Sequence, residues 1–600
     1  MRLTRIEIEN FKGIGELQSI DLKPITLLFG PNSAGKSTIL QALHYLREVI
    51  ERNNPDPDQT IAGGLTDLGG FANLVHGHET SRSIHIKVHL DIGEDQGSDR
   101  LPLNSGGNLQ DPQFTSLPVQ YIAGENTELK TYAVVQEVGI GIEVAWSDLI
   151  QGPYVAKMSV EHNGDELAVL RSPPQEGQAE LININWQHPM LEKLVDPDDE
   201  PEDWGEDGLP TALGYDPEAE KGDPFNTPLG NELYELSRQI LADAQVNDRV
   251  RFRVKVDTEF GALPDLDRAL ALDLVELDKN LIRMRYSRGT SVPRLSDSDE
   301  LRAADELDLE THRRAGLSAL LDEMVLGPVR ILRDYLKSLT YIGPLREIPS
   351  RGYRPRLSPD ESRWAQGLAA WDVLHNQTTE YLLESVNDWL SSDLKLRTGY
   401  QLQQTAFKQV PNTSRFHQLF QRGIDEDDLG DLQELYASLK TVKEFRLLDL
   451  NKGVLVAPSD VGVGISQMVP VVIACLMDPD GLIAIEQPEL HIHPAIQVGL
   501  GDLFIEATQG PQPAVGPERS LLVETHSEHI MLRLLRRVRE QTEHEIPPGV
   551  LGLTADDLSV VYVENSVEGV RFRPLRVSPD GDFADRWPNG FFAERAEELF

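Results

Sequence analysis

Eight consecutive residues, Gly30-Pro31-Asn32-Ser33-Ala34-Gly35-Lys36-Ser37, match the pattern G-x-x-x-x-G-K-[ST] without a mismatch. At this chain's residue frequencies, chance supplies roughly 0.01 such matches in a sequence of this length. The flanks fit as well. Ile25-Thr26-Leu27-Leu28-Phe29 is a short apolar run of the kind that forms a central strand buried on both faces, and Thr38 to Leu46 has helical spacing. A loop so placed curls its backbone N–H groups around phosphate oxygens, and the helix N-terminus behind it adds a favourable dipole. Lys36 is placed to neutralise β- and γ-phosphate charge and the Ser37 hydroxyl to ligate Mg²⁺, with Asn32, Ser33, Ala34, Gly35 and Thr38 completing the cradle. These residues predict a nucleotide site with ATP and Mg²⁺ as cofactors.

Three further constellations lie more than four hundred positions downstream. Gly481 to Ile485 is an apolar strand ending in Glu486-Gln487-Pro488-Glu489, followed by Leu490-His491-Ile492-His493-Pro494. A carboxylate at the end of a strand beside the phosphate strand is where Mg²⁺ takes an outer ligand, and Glu486 is the candidate. Ser520 to Val523 is another such strand, running into Glu524-Thr525-His526-Ser527, which places His526 to touch a γ-phosphate. Asp460-Val461-Gly462-Val463-Gly464-Ile465-Ser466-Gln467 precedes an apolar helix, and its glycines, hydroxyl and amide form a second phosphate-reading surface.

Between these ends the chain reads as mixed. Leu3, Ile6, Ile8 and Phe11, then Ser83 to Leu90, Tyr132 to Val144, Val155 to Val160, Arg249 to Val256 and Leu558 to Val563 read as strands. Helical spacing covers Asn231 to Ala244, Asp299 to Leu339 with a kink or break at Pro328, Thr378 to Leu390 and Asp428 to Lys443. Asp196 to Asp223 holds twelve acidic residues, one lysine and repeated prolines and glycines, and reads as a mobile acidic loop. Lys+Arg 56 against Asp+Glu 98 gives a net charge of −42, so the average surface repels nucleic acid and anionic lipid. The longest apolar run, near Met468 to Met477, is too short to span a bilayer and no secretory leader is visible, which predicts a cytoplasmic protein without a membrane partner. Cys475, the one cysteine, reads as a buried thiol.

The four motifs in this order resemble the ABC-type ATPase heads of the SMC, Rad50 and RecF superfamily, and most of all the bacterial OLD, Septu and Gabija-like antiphage ATPases. Ile6 to Gly13 is similar to the strand opening such heads, Gly30 to Ser37 to Walker A, Asp460 to Gln467 to the signature, Glu486 to the Walker B acid and Thr525-His526-Ser527 to the switch histidine. Tyr341 to Arg346 and the ending Trp587 to Phe592 are similar to one subgroup that lacks a TOPRIM domain. The resemblance implies an α/β fold: a split P-loop head with a mainly parallel central sheet, an antiparallel β lobe and a mixed insert. It implies residues 1–165 as the first lobe, 166–340 as the insert with its acidic loop at 196–223, and 341–600 as the second lobe with a helical subdomain at 365–450. It further implies that two heads sandwich two ATP molecules, Gly464, Ser466 and Gln467 of one reading the γ-phosphate held by the other.

One residue departs from the pattern. Transporter-like heads carry a water-polarising glutamate after the Walker B acid, and here that position is Gln487. An amide orients water but cannot take its proton, which predicts slow turnover unless Glu489 or Glu524 substitutes. The implied role is a timing switch, a homodimer or higher homo-oligomer controlling a separate effector such as a nuclease or toxin. Two other readings stand beside it. A DNA clamp would use the basic clusters Arg346, Arg351, Arg354, Arg356 and Arg533, Arg536, Arg537, Arg539. An OLD-type nuclease would need a metal-binding Asp-x-Asp, and Asp580-Gly581-Asp582 sits in a turn context instead.

Overall fold

The structure is a computed structural model that describes residues 1–58, 66–92, 136–173, 179–184, 252–256, 261–268, 270, 272–276, 322–353, 355–356, 362–376, 380–423, 425, 428–477, 481–510, 519–566 and 569–588. The acidic loop 196–223, the helix expected at 231–244, Arg354 and residues 589–592 lie outside the described residues.

Two large sheets organise it. The first is antiparallel and runs, in spatial order, β10 (Leu272–Glu276), β9 (Phe252–Val256), β8 (Ala179–Ile184), β7 (Asp165–Arg171), β6 (Gly152–His162), β5 (Glu137–Ser147), β4 (Ile84–Asp91), β1 (Arg2–Glu9) and β2 (Gln18–Asp21). Alternation in β1 follows from its sequence: Leu3, Ile6 and Ile8 are buried while Arg5 is exposed and Glu7 and Glu9 half-buried. A lobe boundary at 165 falls inside the β6–β7 hairpin, so this sheet carries on to Glu276 without a break.

The second sheet is the one the motifs require. Its order is β11 (Thr340–Ile342), β15 (Gly481–Glu486), β16 (Arg519–Glu524), β3 (Ile25–Phe29), β17 (Leu558–Ser566) and β18 (Gly569–Leu575). The first five are mutually parallel and β18 closes one edge antiparallel. β3 therefore lies between two strands more than four hundred residues away in sequence. Every residue of β3 and β16 is buried, as expected of strands sandwiched on both faces. A small third sheet joins β12 (Tyr400–Gln409), β13 (Lys440–Asp449) and β14 (Val454–Val456).

The helices are α1 (Thr38–Arg52), α2 (Gly327–Lys337), α3 (Leu368–Asn376), α4 (Glu380–Ser391), α5 (Arg415–Arg422), α6 (Leu429–Ser438), α7 (Val463–Leu476), α8 (Pro494–Gln509) and α9 (Glu528–Thr542), with shorter turns besides. The parallel sheet separates two cores. Leu28, Leu522 and Val561 face α1, α2 and the antiparallel sheet. Leu27, Val523 and Tyr562 face α7, α8 and α9. Both apolar faces of the sheet are thus covered, which is the arrangement a parallel sheet needs.

The break expected at Pro328 is a change of helix type: a π-helical turn over Asp322–Leu326 gives way to α2, which starts at Gly327 with Pro328 in its first turn, where an N–H has no α-helical partner to lose. One local expectation failed for a readable reason. Lys440 to Lys443 are not the end of α6 but the start of β13, where ten residues pair with β12. Cys475 is fully buried in α7, and burial pushes its thiol up to about 12.

Candidate functional site

The phosphate loop is built by backbone geometry that few side chains tolerate. Gly30 has φ 152° and a Cβ there would lie 2.3 Å from the Val563 carbonyl oxygen of β17. Gly35 has φ 98° and a Cβ there would meet Val570 Cγ2 at 2.8 Å. Val570 also presses on Gly13, so the β17–β18 hairpin braces the loop and the turn after β1 together. Lys36 is buried, and its ammonium donates to the Gly30 and Pro31 carbonyls at 3.1 and 2.9 Å. Burial lowers its pKa, opposed by Glu524, Glu489 and Glu486, so the three carboxylates all face this one cation. Asn32 and Ser33 are exposed at the loop's crest, Ala34 is buried beneath it, and Thr38 is buried in the first turn of α1.

The strand beside β3 is β16, not β15, and this corrects the expected placement of the acid. Glu524, at the end of β16, accepts the Ser37 hydroxyl at 2.6 Å and lies 3.9 Å from the Lys36 ammonium. Glu486 sits one strand farther out, as the register partner of Glu524. It accepts the Tyr341 hydroxyl at 2.9 Å, and its carboxyl is pushed up to about 7 by burial and then by the negative charge of Glu524. Two carboxylates side by side, with a lysine and a serine hydroxyl against them, form an oxygen-rich pocket that a small hard cation would relieve of its repulsion. The donor set therefore fits Mg²⁺, with Ser37, Glu524 and Glu486 as the residues that would hold it.

The residues following Glu486 divide the labour differently from expectation. Gln487 has φ 45°, in the left-handed region, and its N–H donates to the Glu524 carbonyl at 2.7 Å. Glu489 was one candidate for activating water, yet both its oxygens are committed: one accepts the Thr525 hydroxyl at 2.7 Å, the other the His526 N–H at 2.8 Å. It anchors the switch segment. His526 is half-buried, its Nε2 has no hydrogen-bond partner among the described residues, and burial followed by Lys36 lowers its pKa. It is a neutral imidazole with a free nitrogen beside the phosphate loop's lysine.

The segment Asp460 to Gln467 leads into α7 and packs against His491 and Arg346. Gly462 caps α7, and Gly462 and Val463 are exposed. Gly464 packs so tightly that a Cβ would lie 2.2 Å from the His491 carbonyl oxygen. Ser466 does not face outward: it is fully buried, and its hydroxyl donates to the Pro458 carbonyl at 2.6 Å. Gln467 is buried too, donating to the Arg346 carbonyl at 3.2 Å. The surface this helix can offer another molecule is made by Gly462 and Val463 rather than by Ser466 and Gln467.

Among the described residues, five arginines of the basic clusters pair with acids. Arg351 forms a two-pronged pair with Asp460, Arg533 and Arg537 share Asp502, Arg536 pairs with Glu540 and Arg539 with Asp582. Asp580-Gly581-Asp582 is a turn with both aspartates exposed and Gly581 buried against α9, and its Asp580 carbonyl and Asp582 carboxylate are both held by Arg539.

Tyr341 to Arg346 carries a family likeness in the sequence, where Arg346 also reads as a support of the nucleotide site or a member of a basic cluster. The structure shows what its two ends touch: Tyr341 the Glu486 carboxylate, and Arg346 the Glu486 and Gln487 carbonyls.

Comparison with known proteins now has a geometry to meet. Residues 1–134 match the family model "AAA ATPase domain" and residues 351–532 the model "AAA domain, putative AbiEii toxin, Type IV TA system". A stretch of 45 residues, 8% of the chain, is 49% identical to the DNA replication and repair protein RecF of Prosthecochloris aestuarii and 44% to that of Chlorobium luteolum, covering 12% of each. Over 136 residues, 19% of the chain, it is 28% identical to the OLD nuclease of Thermus scotoductus, covering 22% of that protein. The chain thus spans 12% to 22% of the length of the curated relatives it matches. Solved SMC heads align along nearly its whole length: that of Pyrococcus furiosus with an extended coiled coil, bound to the C-terminal domain of ScpA, covers 100% of the chain at 11% identity and TM-score 0.32. The Thermotoga maritima head covers 96% at 8% identity and TM-score 0.32. Those scores are low, and the α/β assignment stands on the sheet topology above. The sequence matches support an AAA-type ATPase, with one matching segment in each half of the chain and shorter stretches similar to RecF and OLD proteins.

Proposed function

We propose that this chain is a slow, Mg²⁺-dependent ATP switch whose heads dimerise around ATP and whose nucleotide state controls a partner effector, a nuclease or toxin, in bacterial antiphage defence. The observation that carries the ATP site is the meeting of Lys36 and Ser37 with Glu524, Glu486 and His526 at the C-terminal ends of three strands of one parallel sheet. Ligands of open α/β sheets bind at that edge.

Each residue then has a task that its surroundings permit. Lys36, now bonded to two loop carbonyls, would neutralise the phosphate tail, and Ser37 with Glu524 and Glu486 would hold the nucleotide's cation. Mg²⁺, when bound, supplies charge neutralisation between the phosphates and the two carboxylates. His526, neutral and held by Glu489 through its backbone, presents a nitrogen to the γ-phosphate. Gln487 orients water without accepting its proton, which makes hydrolysis slow and the ATP-bound state long-lived.

The antiphage role rests on the resemblance of the motifs. A steady-state phosphate-release assay on the purified chain tests the enzymatic half: Mg²⁺-dependent turnover that Lys36→Ala abolishes is expected. Sedimentation with and without Mg·ATP tests the dimer, with an ATP-dependent doubling of mass expected.

A further inference from the structure

We infer that Arg346 is a positioning residue that locks the Gln487 turn and ties it to the signature helix of the same subunit. The inference rests on the ATPase reading above and deepens it. Arg346 is 3% exposed, and one of its terminal nitrogens donates to two successive carbonyls, Glu486 at 2.7 Å and Gln487 at 3.0 Å. Those are the carbonyls on either side of the left-handed φ of 45° at Gln487. A non-glycine residue in that region costs on the order of 1 kcal/mol and persists only when its surroundings hold it. The guanidinium does the holding, and it does so from inside the protein, away from the phosphates.

The second link runs through the backbone of the same residue. The Gln467 amide, in the second turn of α7, donates to the Arg346 carbonyl at 3.2 Å, and Gly367 makes room where a Cβ would strike Arg346 Cβ at 3.1 Å and Pro470 Cγ at 3.0 Å. The chain of contacts therefore reads from α7, through Gln467, to Arg346, and from its side chain to the turn carrying Glu486 and Gln487. Tyr341, at the other end of the same six-residue segment, adds its hydroxyl to the Glu486 carboxylate. Gly462 and Val463, the exposed start of α7, form the surface available to a second head, while the N–H of Gln487 bonds the Glu524 carbonyl, on the residue whose carboxylate holds Ser37. Arg346 joins the two.

The guanidinium is also incompletely satisfied. Its Nε and second terminal nitrogen, and the Gln467 side-chain oxygen, find no hydrogen-bond partner among the described residues. A buried cation with donors to spare costs stability, which argues against a purely packing role. Burial lowers its pKa to about 10, opposed by Glu489 and Glu486, so it remains charged at neutral pH. A lysine keeps the charge, but it puts its one nitrogen on a flexible stem, whereas the rigid guanidinium plane fixes the direction of the nitrogen that reaches both carbonyls.

The test compares wild type, Lys36→Ala, Arg346→Lys, Gln467→Met and the Arg346→Lys/Gln467→Met double variant. Phosphate release gives the turnover, a fluorescent ATP analogue with Mg²⁺ gives the affinity, and thermal melts establish that each variant folds. Arg346→Lys is expected to bind the analogue within about threefold of wild type, because Lys36, Ser37 and Glu524 are untouched, and to turn over at least tenfold more slowly. Gln467→Met is expected to slow turnover as well, and the double variant to be no slower than Arg346→Lys, because both act through one path. A folded Arg346→Lys with wild-type turnover, an affinity loss matching the turnover loss, or a double variant whose losses multiply would each overturn the inference. Wild type no faster than Lys36→Ala would instead overturn the ATPase reading itself.

Discussion

Glu524 is buried and Glu489 half-buried, both near the phosphate loop, and their contacts give them different work. Glu524 holds the Ser37 hydroxyl and the Lys36 ammonium, the two groups a nucleotide and its cation must claim. Glu489 holds the backbone and hydroxyl of the switch segment, one oxygen on each. Gln487 stands where the resemblance implies a water-activating glutamate, and a positioned general base is worth about 10²–10⁴-fold in rate. Gln487→Glu is expected to raise turnover by at least about tenfold with little change in the ATP concentration giving half the maximal rate; unchanged turnover would place Gln487 away from the attacking water. His526 gives a pH prediction. Its pKa in the fold is depressed below 6.5 by burial and Lys36, so the unfolded chain binds that proton more readily. Stability from this group is present above pH 6.5 and is lost as pH falls below it toward the folded pKa. Melts at pH 7.5 and pH 5.5 should differ less in His526→Gln than in wild type. Lys36, Ser37 and His526 were legible in the sequence because a fixed spacing or a strand-end position marks them. Glu524's grip on Ser37 was not, since nothing in the residue order says which acidic strand lies next to β3.

At the scale of elements, the β17–β18 hairpin explains two of the loop's glycines. Val563 and Val570 occupy the space that a Cβ on Gly30 or Gly35 would need. Gly35→Ala combines that contact with a φ of 98° and should cost about 1–3 kcal/mol, read as a lower melting temperature. Adding Val570→Ala should recover the steric share and leave the backbone share. α7 supplies an independent probe: Cys475 lies in its last turns, fully buried, and its thiol is held far above neutral pH. Labelling by a thiol reagent at pH 8 should be negligible in the folded chain and complete in denaturant, and rapid native labelling would mean that α7 opens. The short apolar strands and the helices at the motifs were readable from their periods. The β12–β13 pair was not, because Tyr400 to Gln409 carries four glutamines and a lysine among its ten residues, and only β13 across the ladder fixes it as a strand. Pairing of that kind has no local signature.

For the whole molecule, the two ends of the chain share one sheet, and the antiparallel sheet rides on the first core rather than standing apart. Insertion of so long a middle segment is tolerated because β3 and α1 are completed by strands from the C-terminal half. The sequence showed which pieces must meet, from the chemistry a triphosphate requires. Their order across the sheet, β15-β16-β3-β17, could come only from coordinates, because parallel strands are joined by crossovers whose length does not set adjacency. That order is also what puts Glu486 one strand from the loop and makes Tyr341 and Arg346 part of the site.

The most direct measurement is calorimetric titration of ATP into wild type, Lys36→Ala, Glu486→Gln and Glu524→Gln, each with Mg²⁺ and with a chelator. The account predicts one site per chain in wild type, no binding in Lys36→Ala, and for the two carboxylate variants an affinity at least tenfold weaker with Mg²⁺ but not weaker than wild type in chelator. Carboxylate variants that bind Mg·ATP as tightly as wild type would contradict it, since the C-terminal strands would then take no part in holding the nucleotide.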